Sequence, residues 1–590
     1  MTAAQLRSEP SLRAQMRADA GILRRLLGYL AAHKKLFAVA LLLYPLDALA
    51  VVLPPYLVRQ ILDVAVPSGD ARLVNWLALA YVGALSLEFM SGFASQLAMS
   101  VLGQRAMRSL RSDLFAHVQR LPPSYYDRTP VGRLVTRLTN DVESLGELFA
   151  SGAVTVLADV VVLIAVVSMM FYLNVELTLV SFLVVPPLVG LALIFQRFAR
   201  RAFNAIRKQL ARINAFLSEH LSGMSIIQAF GQQARTQREF ENLNLRFRNA
   251  NRQAILFDSL LFSLVEAIGT CAVAAMIWYG AMDMAAGAIG AGTLVAFIQY
   301  IRRFFVPIRD LSTKYTIWQS GLAASERIFE VLDEPVVVGS SVDAVRKSSL
   351  RDAVELRHVW FSYKETGEWI LRDVDLTIRR GEHVALVGAT GSGKTTILKL
   401  LNRLYDVQRG AVLVDGTDVR ELHLDDLRRL FAVVLQDVHL FSGTIMENLA
   451  FADGVTEQDV RGAARAVQAD AVIEKLPAGY AQPVQTGGAN FSAGERQLLA
   501  FARALAVNPE VLVLDEATSN VDSETEARIQ SALDVLLRER TAVVVAHRLS
   551  TIRKMDRIVV IHQGQIVEQG DHASLMARDG FYKRLVEAQF

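Results

Sequence analysis

Apolar residues come in long runs through the first half of the chain and stop near residue 316. The runs are Leu36 to Val58, Leu73 to Val101, Phe149 to Leu173, Leu177 to Phe195, Leu260 to Ala281 and, more weakly, Ala285 to about Val306. A helix needs about 20 apolar residues to cross the hydrocarbon core of a bilayer, so the pattern predicts six spans, the last interrupted by Arg302 and Arg303. Between the runs, stretches such as "AFNAIRKQLARINAFLSEHL" repeat apolar residues at helical spacing, which predicts spanning helices that continue beyond the membrane. Residues 20 to 35, "AGILRRLLGYLAAHKK", mix apolar and basic positions. They suit either an amphipathic elbow helix on the membrane surface or the first turn of a longer helix.

The period then changes. After the polar stretch "FEVLDEPVVVGSSVDAVRKSSL", short β-branched runs ("VELRHVWF", "HVALVG", "AVLV", "FAVVLQ", "VLVLDE", "TAVVVAH", "RIVVIHQG") alternate with helical segments, the mark of an α/β domain. The expected organisation is an N-terminal segment over residues 1–35, a transmembrane domain over 36–320, a linker over 321–350 and an α/β domain over 351–590.

Composition supports the membrane half: 52% of the 590 residues are hydrophobic and 21% charged. A net charge of +3 gives no reason to expect a nucleic-acid partner, and the spans exclude a soluble DNA-repair ATPase. Seven Arg lie between the second and third runs and eleven Lys or Arg between the fourth and fifth, whereas the links "NVE" and "YGAMDMAAGAIGAG" have none. The positive-inside rule places the long basic connections and both termini in the cytosol. The N-terminus has no apolar core for a cleaved signal. The single cysteine, Cys271, reads as a small buried hydrophobe.

The chemistry sits in the second half. "GATGSGKT" fits G-x-x-x-x-G-K-[ST] between a strand and a helix, a loop whose backbone amides curl around phosphate oxygens. Its residues are Gly388, Ala389, Thr390, Gly391, Ser392, Gly393, Lys394 and Thr395, with Thr396 following. Lys394 suits β- and γ-phosphate oxygens, and Thr395 suits Mg²⁺. "VLVLDE" ends in Asp515, a candidate water-mediated Mg²⁺ partner, and Glu516, a candidate general base. Gln436 after "FAVVL" suits Mg²⁺ and the lytic water, His547 after "TAVVVA" the γ-phosphate, and Tyr363 in "WFSYK" a stack on adenine. Singly, each of these three fits a structural role as well.

Taken in order, these motifs resemble an ATP-binding cassette (ABC) exporter with six spans fused to one nucleotide-binding domain. "GATGSGKTT" is similar to Walker A, "VLVLDE" to Walker B, "VVLQD" to the Q-loop, "SNVD" (Ser519 to Asp522) to the D-loop and "AHRLS" to the H-loop. "YYDRTPVGRLVTRLTNDVE" and "LSGMSIIQAFGQ" resemble the two intracellular coupling regions. The resemblance implies ATP and Mg²⁺ as cofactors and a dimer in which each ATP lies between one Walker A and the partner's signature motif. It covers nearly all of the chain after residue 20.

The family signature is Leu-Ser-Gly-Gly-Gln, and here it reads Phe491, Ser492, Ala493, Gly494, Glu495. Ser492 and Gly494 are kept. An altered signature beside an intact Walker B glutamate resembles the catalytic halves of bacterial heterodimeric multidrug exporters, so a second half-transporter is expected as partner, a heterodimer slightly ahead of a homodimer. The expected activity is ATP-driven export of hydrophobic or amphipathic molecules, drugs or lipids, across the inner (plasma) membrane. A lipid flippase, a peptide exporter, an importer and a nucleotide-gated regulator share the layout. Asp47, Glu88, Asp159 and Glu266 fall inside apolar runs, at a cost of about 2.5 to 3.5 kcal/mol each. They line a cation-binding cavity, pair helices or meet water.

Overall fold

The computed structural model describes residues 12–364, 367–515, 523–546 and 548–589. The chain divides into two units, one formed by Met1–Gln119 and Gly132–Glu334 and the other by Arg120–Val131 and Pro335–Phe590.

The first unit is helical. After α1 (Leu12–Ala31) come α2 (Lys34–Gln60) and the 50-residue α3 (Ala71–Arg120). In the second unit, α4 (Pro123–Arg128) interrupts the sequence. The first unit resumes with alternating α and π turns from Val131 to Gly152, then α5 (Ala153–Leu173), α6 (Val175–Phe182), α7 (Val185–Ser222), α8 (Gln233–Ala285) and α9 (Ala291–Leu332). Among the described residues, four helical stretches are long and apolar enough to cross a membrane: Lys34–Ser68, Ala71–Arg120, Val131–Leu173 and Gln233–Ala285. The other two expected spans depart from that pattern for local reasons. The run Leu177 to Phe195 is split between α6 and α7, because Pro186 and Pro187 lack the N–H groups a continuous helix needs and instead take the first turn of α7. The sixth run belongs to α9, which is continuous through Arg302 and Arg303 and ends at Leu332.

Three of the four intramembrane acids pair helices. Glu88 on α3 takes both guanidinium nitrogens of Arg303 on α9, at 2.8 and 3.1 Å. Asp159 on α5 pairs with Lys314 on α9, and Asp47 on α2 accepts from Ser91 Oγ on α3 at 2.9 Å. Glu266 is exposed on α8. Arg303 is therefore half of a helix pair rather than a simple break in the sixth span. Cys271 is exposed on α8, contrary to the expectation of a buried thiol: it lies on a face that this chain does not cover with its own side chains.

First and last spans are also joined end to end. A π turn, Ile61–Ala65, follows α2 and brings Asp63 to the start of α9, where its carboxylate accepts from Gly292 N (2.6 Å), Thr293 N (2.8 Å) and Thr293 Oγ1 (2.8 Å). This caps amides that the helix itself leaves unpaired. Gly292 permits the approach, since a Cβ there would lie 2.8 Å from the Arg59 carbonyl.

Two sheets make the second unit. β1 (Ala353–Phe361), β2 (Leu371–Arg379), β4 (Arg409–Val414) and β5 (Thr417–Asp418) form an antiparallel sheet in the order β2-β1-β4-β5. β3 (His383–Val387), β6 (Phe431–Val434), β9 (Val511–Asp515), β10 (Thr541–Val545), β11 (Arg557–His562) and β12 (Gln565–Gly570) form the other in the order β12-β11-β3-β10-β9-β6. β7 (Gly443–Thr444) and β8 (Pro483–Val484) pair separately. In the larger sheet β6, β9, β10, β3 and β11 are parallel, and β9 and β10 are buried at every position. That explains their unbroken valine and leucine runs. Helix α10 (Lys394–Leu401) follows β3, and α11 (Ala493–Ala506) precedes β9.

Candidate functional site

Because the central strands are parallel, their carboxyl ends open on one edge, where ligands of α/β sheets bind. The loop 388–393 leaves the end of β3, Asp515 closes β9, and Gln436 follows the end of β6, next to β9 in the sheet. His547 follows β10 in sequence but lies outside the described residues, as do Glu516 and Asp522.

The loop is built for backbone donors. Gly388 has φ +154°, and a Cβ there would lie 2.2 Å from the Ile561 carbonyl and 2.8 Å from Ser392 Oγ. Only glycine fits between strand β11 and the loop's own turn. Ser392 Oγ is buried with no hydrogen-bond partner among the described residues. Gly393, also left-handed at φ +107°, is the N-cap of α10, whose first amides have no side-chain cap. A buried orphan hydroxyl and a row of free amides at a helix start fit an anionic phosphate chain.

Lys394 is buried and lays its Nζ on Gly388 O (2.8 Å) and Ala389 O (3.0 Å). Burial pulls its ammonium below the ordinary lysine value, against the attraction of Asp515. Thr395 Oγ1 donates to Asp515 Oδ2 at 3.0 Å, although 120 residues separate them. A hydroxyl and a buried carboxylate are hard oxygen donors, the set that suits Mg²⁺. Tyr363 is partly exposed, with its hydroxyl 3.1 Å from Thr396 Oγ1 and Lys399 Nζ 5.3 Å from its ring centre. Gln436 is exposed in the loop after β6. Among the described candidates the fold thus joins Lys394 to Gly388 and Ala389, Thr395 to Asp515 and Tyr363 to Thr396, while Gln436 makes none of these contacts.

The altered signature forms a separate, ordered piece. Ser492 is the N-cap of α11: its Oγ accepts from Glu495 N at 3.3 Å while the Glu495 carboxylate accepts from Ser492 N at 2.8 Å. This capping box turns Glu495 back onto its own helix start. Phe491 is buried in the core, and Arg496 Nη1 donates to its carbonyl at 2.7 Å. Gly494 lies buried in the first turn. The Ser-x-x-Glu spacing at 492–495 was the sequence signal for this cap.

Comparison with known proteins agrees with this geometry. Residues 37–308 match the model of the ABC transporter transmembrane region, and residues 371–519 that of the ABC transporter. The chain is 40% identical over 513 residues to a probable multidrug resistance ABC transporter ATP-binding/permease protein of Bacillus subtilis (strain 168), covering 86% of this chain and 76% of the relative. It is 38% identical over 519 residues to a fatty acid ABC transporter ATP-binding/permease protein of Mycobacterium tuberculosis, covering 88% of this chain and 82% of the relative. Among solved structures, a bacterial Atm1-family ABC exporter with ATP bound superposes with a TM-score of 0.77 at 28% identity, over 95% of this chain and 99% of the other.

Proposed function

Because the chain belongs to the ABC transporters, as an exporter-type half with spans and nucleotide-binding domain on one polypeptide, we propose that it hydrolyses ATP to export hydrophobic or amphipathic small molecules, drugs or lipids. The observation that carries the ATPase reading is the meeting of Thr395 and Asp515 at 3.0 Å beside a glycine-rich loop with an orphan hydroxyl. The names of the relatives, multidrug resistance and fatty acid transporters, support the cargo class.

In this reading the loop amides and Lys394 hold the phosphates, Lys394 exchanging its two loop carbonyls for phosphate oxygens, and Tyr363 carries the base. Thr395 and Gln436, with Asp515 through water, would hold Mg²⁺, which would neutralise charge on the phosphates. Glu516 takes the proton of the attacking water, and His547 contacts the γ-phosphate. The half-transporter works as a dimer in the membrane, with Ser492 and Gly494 facing the partner's ATP and Asp522 at the seam between the two domains. The Ser492 hydroxyl accepts from its own helix, so its proton is free to meet a phosphate oxygen. The spans alternate between inward and outward access as the domains close and part. We place the nucleotide-binding domain and both termini in the cytosol and the spans in the plasma membrane, on the distribution of Arg and Lys among the connections.

The partner we favour is a different half-transporter, whose weaker site this atypical signature serves. Full ATPase and transport by this chain expressed alone would overturn that preference. The catalytic reading is tested by Glu516→Gln in the purified native assembly. ATP binding stays, and turnover falls at least about 100-fold. Near-wild-type turnover of the variant would remove Glu516 as the base.

A further inference from the structure

Tyr405 lies behind Tyr363 and is buried. Its ring meets that of Tyr363 edge-on at 5.3 Å and that of Phe361 at 5.7 Å, while Phe361 and Tyr363 meet at 5.0 Å, so the three rings form one packed cluster. Lys399 Nζ stands over both tyrosines, at 5.3 and 5.8 Å. On its far side Tyr405 donates its hydroxyl to Asp127 Oδ2 at 2.6 Å. Asp127 belongs to α4, a six-residue helix in the second unit, and the chain on both sides of Arg120–Val131 belongs to the helical unit. Burial first, then the hydrogen bond and charge of Asp127, push the Tyr405 hydroxyl above its ordinary pKa, so it remains a donor at neutral pH.

The contacts are continuous from the phosphate loop outward. Thr396, on the first turn of α10, touches the Tyr363 hydroxyl; Tyr363 touches Tyr405; Tyr405 holds Asp127. A charge-assisted hydrogen bond from a buried donor to a carboxylate at the exposed end of α4 is directional as well as strong. A planar base settling on Tyr363 presses on a ring whose other side is fixed by Tyr405. The ring cluster transmits that displacement because packed interiors deform little.

We propose that Tyr405 is a positioning residue that links base occupancy at Tyr363 to the placement of α4 through Asp127, and so carries the nucleotide signal into the span-bearing helices. This rests on the nucleotide reading of the site. Its distinct content is that the hydroxyl of Tyr405, and not only its ring, carries coupling.

The test is hydrogen–deuterium exchange of the purified assembly in lipid nanodiscs, with and without ATP and vanadate, on wild type, Tyr405→Phe, Asp127→Ala and Asp127→Asn. ATP protects residues 388–395 in all four. In wild type it also changes exchange over residues 123–147. In Tyr405→Phe and Asp127→Ala that second response falls about fivefold, the pair combined being no worse than either alone, and Asp127→Asn, which keeps an acceptor, restores most of it. Loss of protection at 388–395 in Tyr405→Phe would reduce Tyr405 to a prop for the base platform and overturn the proposal. So would an unchanged response at 123–147. Absence of ATP protection at 388–395 in wild type would instead strike the nucleotide reading itself, and this inference with it.

Discussion

Glu88→Gln removes the carboxylate that Arg303 grips with two nitrogens at 2.8 and 3.1 Å. The side chains of Glu88 and Arg303 are 29% and 24% exposed in the isolated chain, and Arg303 then keeps the carbonyl of Val51. Truncating one partner of a buried, bidentate pair costs about 3 to 5 kcal/mol, and the partial exposure argues for the lower end, about 3 kcal/mol. At roughly 2 to 4 °C per kcal/mol for a unit of this size, the unfolding midpoint falls by about 6 to 12 °C. The double variant Glu88→Gln/Arg303→Met, which leaves no unpaired charge, recovers most of that loss. The assay is thermal unfolding in nanodiscs by intrinsic fluorescence, beside transport of a cationic and a neutral dye. The reasoning is refuted if Glu88→Gln unfolds with the wild type while transport of the cationic dye alone declines, since Glu88 would then be a cargo site rather than a helix clamp.

Two further outcomes follow from the second unit. Ser492→Ala removes the helix cap and loses about 1 kcal/mol of local stability, but keeps most ATPase because this signature serves the partner's weaker site, and a near-complete loss would point to the homodimer instead; Glu495→Gln keeps the capping box and leaves both near wild type, and a large ATPase rise in it would show that the carboxylate reaches the partner's phosphate after all. Asp415 is partly buried, which opposes its ionisation, but the Lys347 ammonium at 2.9 Å and the amides of Asp352 and Arg351 hold its carboxyl below the usual range. A lowered carboxylate contributes stability that is present above the unfolded-state value and lost as pH falls through the folded one. Thermal unfolding of the full chain should therefore weaken progressively below about pH 4, and Asp415→Asn should flatten that dependence; an equally steep acid slope in Asp415→Asn would count against the assignment.

Much of this was legible in the residues because the signals are local. Strand and helix periods, the glycines of the loop and the run ending in Asp515 each reflect the conformation of a few neighbours. Pro186 and Pro187 carried the break between α6 and α7 just as locally, yet an apolar run was easier to read than its two missing amides. The acids of the spans were not legible. Glu88 and Arg303 are 215 residues apart, so only the ion pair that the fold forms between α3 and α9 tells a helix pair from a cargo site. The same holds for Tyr405 and Asp127, 278 residues apart: "YYDR" marked a coupling region by resemblance, but nothing in it named the tyrosine that answers it.

The Asp63 cap has a mechanical meaning. Together with Tyr300 donating to Val52 O at 2.7 Å and Arg303 donating to Val51 O, it fastens α2 to α9 at successive points along their length, each pin joining a side chain of one element to a backbone group of the other. The first and last of the spanning helices are thus a single strut. A conformational cycle that reshapes the pathway must swing this strut as one body or unfasten its pins, and the joints of the machine are to be sought where such pins are missing.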